Sequence, residues 1–176
     1  MRKLLMLGAA LLTAAACANN ADDSGTVTQA STPAADQGGV QKCQQRTLPA
    51  PPRETDTSTK PKVVVPDGAP PCTLAVQDIK VGTGAAAKAG GSVTVNYVGV
   101  AWSTKEQFDS SWDAGKPVSF SLDQVIAGWR EGIPGMREGG RRRLIIPANL
   151  AYAEQGGPGI APGETLVFVV DLVKAS

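Results

Sequence analysis

Asp109 and Asp113 stand four residues apart, Arg141, Arg142 and Arg143 stand in a row, and Gly82-Thr83-Gly84-Ala85-Ala86-Ala87 follows a candidate strand. Each of these does chemistry in some setting. Two carboxylates at that spacing could begin a metal loop, but no third acidic ligand follows at calcium-loop spacing, so no metal is expected. The glycine run imitates the dinucleotide fingerprint, yet Gly90-Gly91 interrupts it and leaves no room for the helix that would hold the phosphates, so no cofactor is expected either. Alternation along a strand splits the three arginines between two faces, and the expected reading is a solvated strand start whose aliphatic stems cover the sheet. The chain contains no histidine. That excludes Ser-His and Cys-His nucleophiles and the common His-containing zinc sites. What remains is aromatic: all eight Phe, Trp and Tyr residues fall between Tyr97 and Phe168.

The elements that must position those rings come from the same half of the chain, because large aromatic side chains supply much of a core's buried area. From Cys72 onward, short apolar runs with period-two alternation are separated by Gly and Pro, the pattern of an antiparallel β-rich domain. The spacing predicts strands over Thr73 to Val81, Ser92 to Ala101, Gln107 to Ser110, Val118 to Leu122, Arg141 to Ile146 and Thr165 to Val173. Val93, Val95 and Tyr97 share one face. Leu166-Val167-Phe168-Val169-Val170 is apolar on both faces, which predicts a central strand. One helix is expected, Ile126 to Met136, closed by Pro134 and Gly135. One helix and one sheet make a two-layer α+β domain.

The 176 residues carry 17 Lys+Arg and 16 Asp+Glu, a net charge of +1. No field of that size steers a chain onto nucleic acid or an anionic bilayer, so nucleic acid is not an expected partner. Arg2 and Lys3 precede an uncharged stretch, Leu4 to Ala16, that suits a secretory signal and is too short to span a bilayer as a helix. It ends in Thr13-Ala14-Ala15-Ala16-Cys17, which resembles a bacterial lipobox, although Ala14 and Ala16 also suit an ordinary signal-cleavage site. Cysteine parity favours lipidation at Cys17: it leaves Cys43 and Cys72 as an even pair, free to form a disulfide in an oxidising compartment. Residues 17–72, rich in Thr, Ala, Gln, Asp and Pro, are expected to form a disordered tether spanning about 40 Å. The expected organisation is therefore a signal peptide over 1–16, a lipidated tether over 17–72 and a folded domain over 73–176 in the bacterial cell envelope. Lipid is its sole contact with the membrane, and a monomer is expected.

Seven blocks in order carry a resemblance: Val95-Asn96-Tyr97-Val98-Gly99; Phe108-Asp109-Ser110-Ser111; Pro117 to Leu122; Val125-Ile126-Ala127-Gly128-Trp129; Gly135 to Arg142; Ile146 to Tyr152; and Pro158 to Phe168. Together they resemble the FKBP-type peptidyl-prolyl cis-trans isomerases, the immunophilin family, over roughly residues 73–176. The resemblance implies a strongly twisted antiparallel sheet of five or six strands wrapped around one short helix. It implies a pocket walled by Tyr97, Phe108, Phe120 and Phe168, floored by Trp129, with Val125, Ile126 and Ile160 along its sides. It further implies that the Ile126 backbone N–H and the Tyr152 hydroxyl donate to the carbonyls flanking a substrate proline, with Asp109 accepting a hydrogen bond beside Tyr97. Pro-containing polypeptides are the implied clients, and a macrolide is an implied ligand.

Such a pocket needs no imidazole. Rotation about an X-Pro bond faces a barrier of about 18–20 kcal/mol, yet makes and breaks no covalent bond and moves no proton. A second reading keeps the fold and drops catalysis, leaving a module that holds Pro-containing segments; Asp109, Tyr152 and Trp129 favour the enzyme. The sequence departs from the family at Asn96, where His is frequent, and in the loop from Tyr152 to Gly163. There Ala153 and Glu154 replace the usual Gly, and Ala161 and Gly163 alter a Pro-Pro-Asn run. Ala is penalised wherever the backbone needs φ > 0.

Overall fold

The computed structural model describes residues 42–176. The expected signal peptide, Cys17 and the first part of the expected tether lie outside them. Six strands form one sheet: β1 (Ala75–Lys80), β2 (Ser92–Ala101), β3 (Gln107–Ser110), β4 (Val118–Ser121), β5 (Arg141–Ile146) and β6 (Leu166–Ala175). The order is β1-β5-β6-β2-β3, every pairing antiparallel, and β4 pairs with the first half of β2. The doubly apolar β6 is the central strand, as its composition predicts.

Alternation sorts these strands into two cores. Val93, Val95 and Tyr97 of β2, Leu144 and Ile146 of β5, and Leu166, Phe168, Val170 and Leu172 of β6 join Trp129 and Ile133 in one buried cluster. Val98 and Val100 of β2, Ile145 of β5 and Val167 of β6 join Trp102 and Val65 in another. Helix α1 (Ala127–Gly132) covers the first face. It is shorter than expected because Ile133 already serves as its C-cap, and Pro134, which has no N–H, cannot extend the ladder. Two glycines four apart let it lie close to β5. A Cβ on Gly128 would come within 2.3 Å of the Ile146 side chain, and one on Gly132 within 2.7 Å of Leu144.

The second face corrects the expectation of a disordered tether reaching to residue 72. Residues 42–72 run as an extended strap against the sheet, with Val65 and Pro61 buried and Leu48 and Val63 packed on the second core. The expected disulfide joins Cys43 to Cys72, closing the strap into a loop. The three arginines of β5 are corrected too, for none is solvated: Arg141 and Arg143 are each 1% exposed and Arg142 is 9%. Arg141 grips Asp171, its cross-strand neighbour on β6, through Nε and Nη2, and donates onward to the carbonyls of Glu54 and Thr59 in the strap. Arg143 donates to the Pro49 and Val64 carbonyls and to the Gln77 side chain. Arg142, on the helix side, ties Asp78 of β1 to the Gly132 carbonyl at the end of α1. The physical reason is one of donors. A guanidinium offers five N–H groups in a fixed fork, so a strap of exposed carbonyls satisfies buried arginines without apolar composition of its own.

Candidate active site

Four strands, one helix turn and one loop meet at a single cleft of about 310 Å³. β2 contributes Tyr97, β3 Phe108 and Asp109, β4 Phe120, β6 Phe168, and the first turn of α1 Trp129. Val125 and Ile126 line it from the segment entering the helix, and Tyr152 lines it from the loop after β5. Of the residues expected at the site, Ile160 alone does not line the cleft: it is buried among the core residues of the same face. Gln124 lines it without having been expected. Its only sequence signal is its position directly before Val125-Ile126.

The rings form a box. Tyr97, Phe120 and Phe168 surround the Trp129 indole with centroids 5.4, 5.5 and 5.3 Å away and planes inclined at 85°, 83° and 83°. Edge-to-face contact is the arrangement aromatic quadrupoles prefer, and it leaves walls standing perpendicular to the floor instead of stacked upon it. Phe108 closes the side next to Phe168, 5.5 Å away at 89°. Room for that corner comes from Gly99, opposite both Phe168 and Asp109 in the sheet, where a Cβ would lie 2.7 Å from Phe108 and 2.8 Å from Phe168.

Phe108 and Asp109 are adjacent in a strand, and regular alternation would send them to opposite faces. The ladder between β2 and β3 slips here: Val100 opposes Gln107 and Gly99 opposes Asp109, leaving Phe108 as an extra residue. This bulge bends the strand and brings both side chains to the cleft.

Among the described residues, Asp109 is the one carboxylate lining the cleft, and no Lys or Arg lines it. Tyr97 Oη donates to Asp109 Oδ2 at 2.6 Å, and Oδ1 accepts from the Ser110 N–H at 2.8 Å. Burial, and then the Asp109 bond, push the Tyr97 phenol well above its ordinary value, so it stays protonated as a fixed donor. Asp113 belongs elsewhere. It is exposed and binds Lys60 and Gln107, so the two aspartates make no pair. Asn96 turns away from the cleft, its Oδ1 accepting from Ser111 Oγ. Ile126 is the N-cap of α1 with extended geometry (φ −57°, ψ 151°), and an N-cap N–H is not used by the helical ladder. Tyr152 is 40% exposed at the rim, and Ala153 beside it has φ 49°, the left-handed region for which Gly is suited.

Comparison with known proteins agrees with this geometry. The family described as FKBP-type peptidyl-prolyl cis-trans isomerase matches residues 83–173. An FK506-binding protein of Streptomyces anulatus is 58% identical over 118 residues, covering 65% of this chain and 95% of that protein. A probable FK506-binding protein of Corynebacterium glutamicum is 52% identical over 116 residues, covering 66% and 98%. The crystal structure of FkpA from Escherichia coli superposes with a TM-score of 0.56 at 44% identity over 58% of this chain. This chain covers 48% of that one.

Proposed function

The chain belongs to the FKBP-type peptidyl-prolyl cis-trans isomerases, and from that premise we propose how its own residues turn an X-Pro bond. The proline ring sits on the Trp129 indole between Tyr97, Phe120 and Phe168, with Phe108 and Val125 at its edges. The Ile126 N–H and the Tyr152 hydroxyl donate to the two carbonyls flanking the proline and hold them in the rotated geometry. Asp109 acts on the substrate through Tyr97, whose ring it fixes by the phenol hydrogen bond.

The chemistry is one of solvation. A planar amide is strongly polar and well solvated by water; the twisted amide has lost resonance and is less polar. A dry aromatic box therefore raises the ground state more than the transition state, and only such a difference accelerates the step. Positioned donors add to this by orienting the carbonyls before rotation. Neither effect requires a titrating group, which reconciles catalysis with a chain lacking histidine.

The perpendicular stand of three rings on one indole carries this reading, because ordinary core packing would not leave about 310 Å³ open above it. The test is isomerisation of a short X-Pro peptide. Turnover should exceed the uncatalysed rate, and Tyr152→Phe and Asp109→Ala should each lower kcat/KM while leaving the melting temperature nearly unchanged. A wild-type rate equal to the uncatalysed one would leave a binding module on the same fold. FK506, after which two relatives are named, should occupy the same cleft and inhibit.

The setting proposed for this activity is the bacterial cell envelope, with the chain anchored through a lipid on Cys17 and acting as a monomer on exported Pro-containing polypeptides. Parity of the cysteines supports it, since Cys43 and Cys72 are paired with each other. Mass spectrometry of the mature protein should find a diacylated or triacylated Cys17; an unmodified thiol or a mature chain starting beyond it would overturn the anchor.

A further inference from the structure

Phe108 lines a second cleft as well as the first. This neighbour, of about 340 Å³, lies between the turn that joins β2 to β3 and the loop that precedes β6. Its room comes from small residues, Ala101, Gly159 and Ala161; Thr104 and Gln107 add neutral polar groups, and its charge comes from two carboxylates, Glu106 and Glu164. Among the described residues, no Lys or Arg lines it. The nearest candidate to neutralise it in sequence, Lys105, is engaged elsewhere, 2.6 Å from Asp67 of the strap. Glu164 is 7% exposed and fixed in place, its carboxylate accepting from the N–H and hydroxyl of Ser103. Glu106 is exposed at the cleft's edge.

We infer that this second cleft seats a Lys or Arg side chain of the substrate close to the isomerised proline, making the enzyme selective for basic sequences. The inference rests on the prolyl reading of the first cleft and deepens it. Two features of such a side chain fit. Its aliphatic stem packs against Ala101, Ala161 and the Phe108 ring, and its charged end stays near water at the cleft edge, where Glu106 stands, with the buried Glu164 adding negative charge behind it. An extended peptide advances about 3.3–3.6 Å per residue, so a long side chain one or two residues from the proline reaches past a single aromatic ring. The shared wall makes the two sites one groove.

The experiment uses peptides containing a single proline, with Lys, Ala or Glu placed in turn at each of the two positions on either side of it. Isomerisation is followed by NMR exchange, which avoids a coupling protease with its own preference for basic residues. At one of these positions the wild-type protein should turn over the Lys peptide about two- to fivefold better than the Glu peptide at low salt, the range an exposed ion pair supplies. That ratio should shrink with added salt, fall toward one in Glu106→Gln and drop below one in Glu106→Lys. A ratio near one at every position, or a ratio unchanged in Glu106→Lys, overturns the inference. Failure of the prolyl reading looks different: the wild-type protein would then not accelerate even the Ala peptide.

Discussion

On one face of the sheet Tyr97, Phe120 and Phe168 stand around Trp129 and leave a cleft open to solvent; on the other, Arg141 and Arg143 donate hydrogen bonds to strap carbonyls. The same strands build both. Phe168 and its neighbour Val167 lie on opposite faces of β6, and Tyr97 and Val98 do the same on β2. Six of the eight aromatic residues line the cleft, and the remaining two, Trp102 and Trp112, pack on the strap side. What differs is the kind of partner each face requires. Rings meeting edge to face need few donor matches and can border an empty space, even with the Trp129 Nε1–H unpartnered, whereas buried guanidinium groups must be matched donor by donor and draw chain over themselves.

The sharpest way to break that contrast is to remove the floor. Trp129→Ala should cost about 3–5 kcal/mol in urea unfolding and abolish peptide turnover, since cavity and catalysis share the indole. Arg141→Ala attacks the opposite face. It leaves Asp171, 2% exposed, without its partner, and breaking a buried pair costs about 3–5 kcal/mol. Faster amide exchange over residues 49–65 should accompany it, while turnover per folded molecule persists; a loss of turnover comparable to that of Trp129→Ala would show that the faces are not independent. Replacing both Cys43 and Cys72 with Ser should lower stability by about 3–4 kcal/mol, the loop-closure scale for roughly 30 residues, again sparing turnover. The smallest effect belongs to the cleft rim. Ala153→Gly relieves a left-handed residue at φ 49° and should stabilise by up to about 1 kcal/mol, part of the relief being offset by the freer unfolded chain. A destabilised Ala153→Gly protein would mean that the Cβ itself contributes packing there.

The cleft face was legible because alternation writes itself into composition. Val93, Val95 and Tyr97 form one row by alternation alone, and β2, β3 and β5 have the bounds their pattern predicts. The Ala153 strain was also foreseeable, from an Ala standing where the family resemblance implies Gly. The bulge at Phe108 was hidden, because a slip in register depends on the partner strand and leaves no mark beyond Gly99. The strap was hidden for a different reason. Its attachment runs through main-chain oxygens of Pro49, Glu54, Thr59 and Val64, which every residue type possesses. Only Leu48 and the short run Val63-Val64-Val65 hinted at it, and the row of arginines on β5, split correctly between faces, gave no sign that both faces would be covered.

Closure of the strap has a mechanical consequence. Cys43 and Cys72 are joined with their Cα atoms 4.8 Å apart, and β1 begins three residues later at Ala75. Tension on the chain ahead of Cys43 therefore crosses the sulfur bridge directly into β1 and bypasses residues 44–71 altogether. The arginine-held loop carries no load, and a pull strong enough to disturb the domain would first have to unzip an edge strand from β5, on the side of the sheet away from β3 and the Phe108 wall.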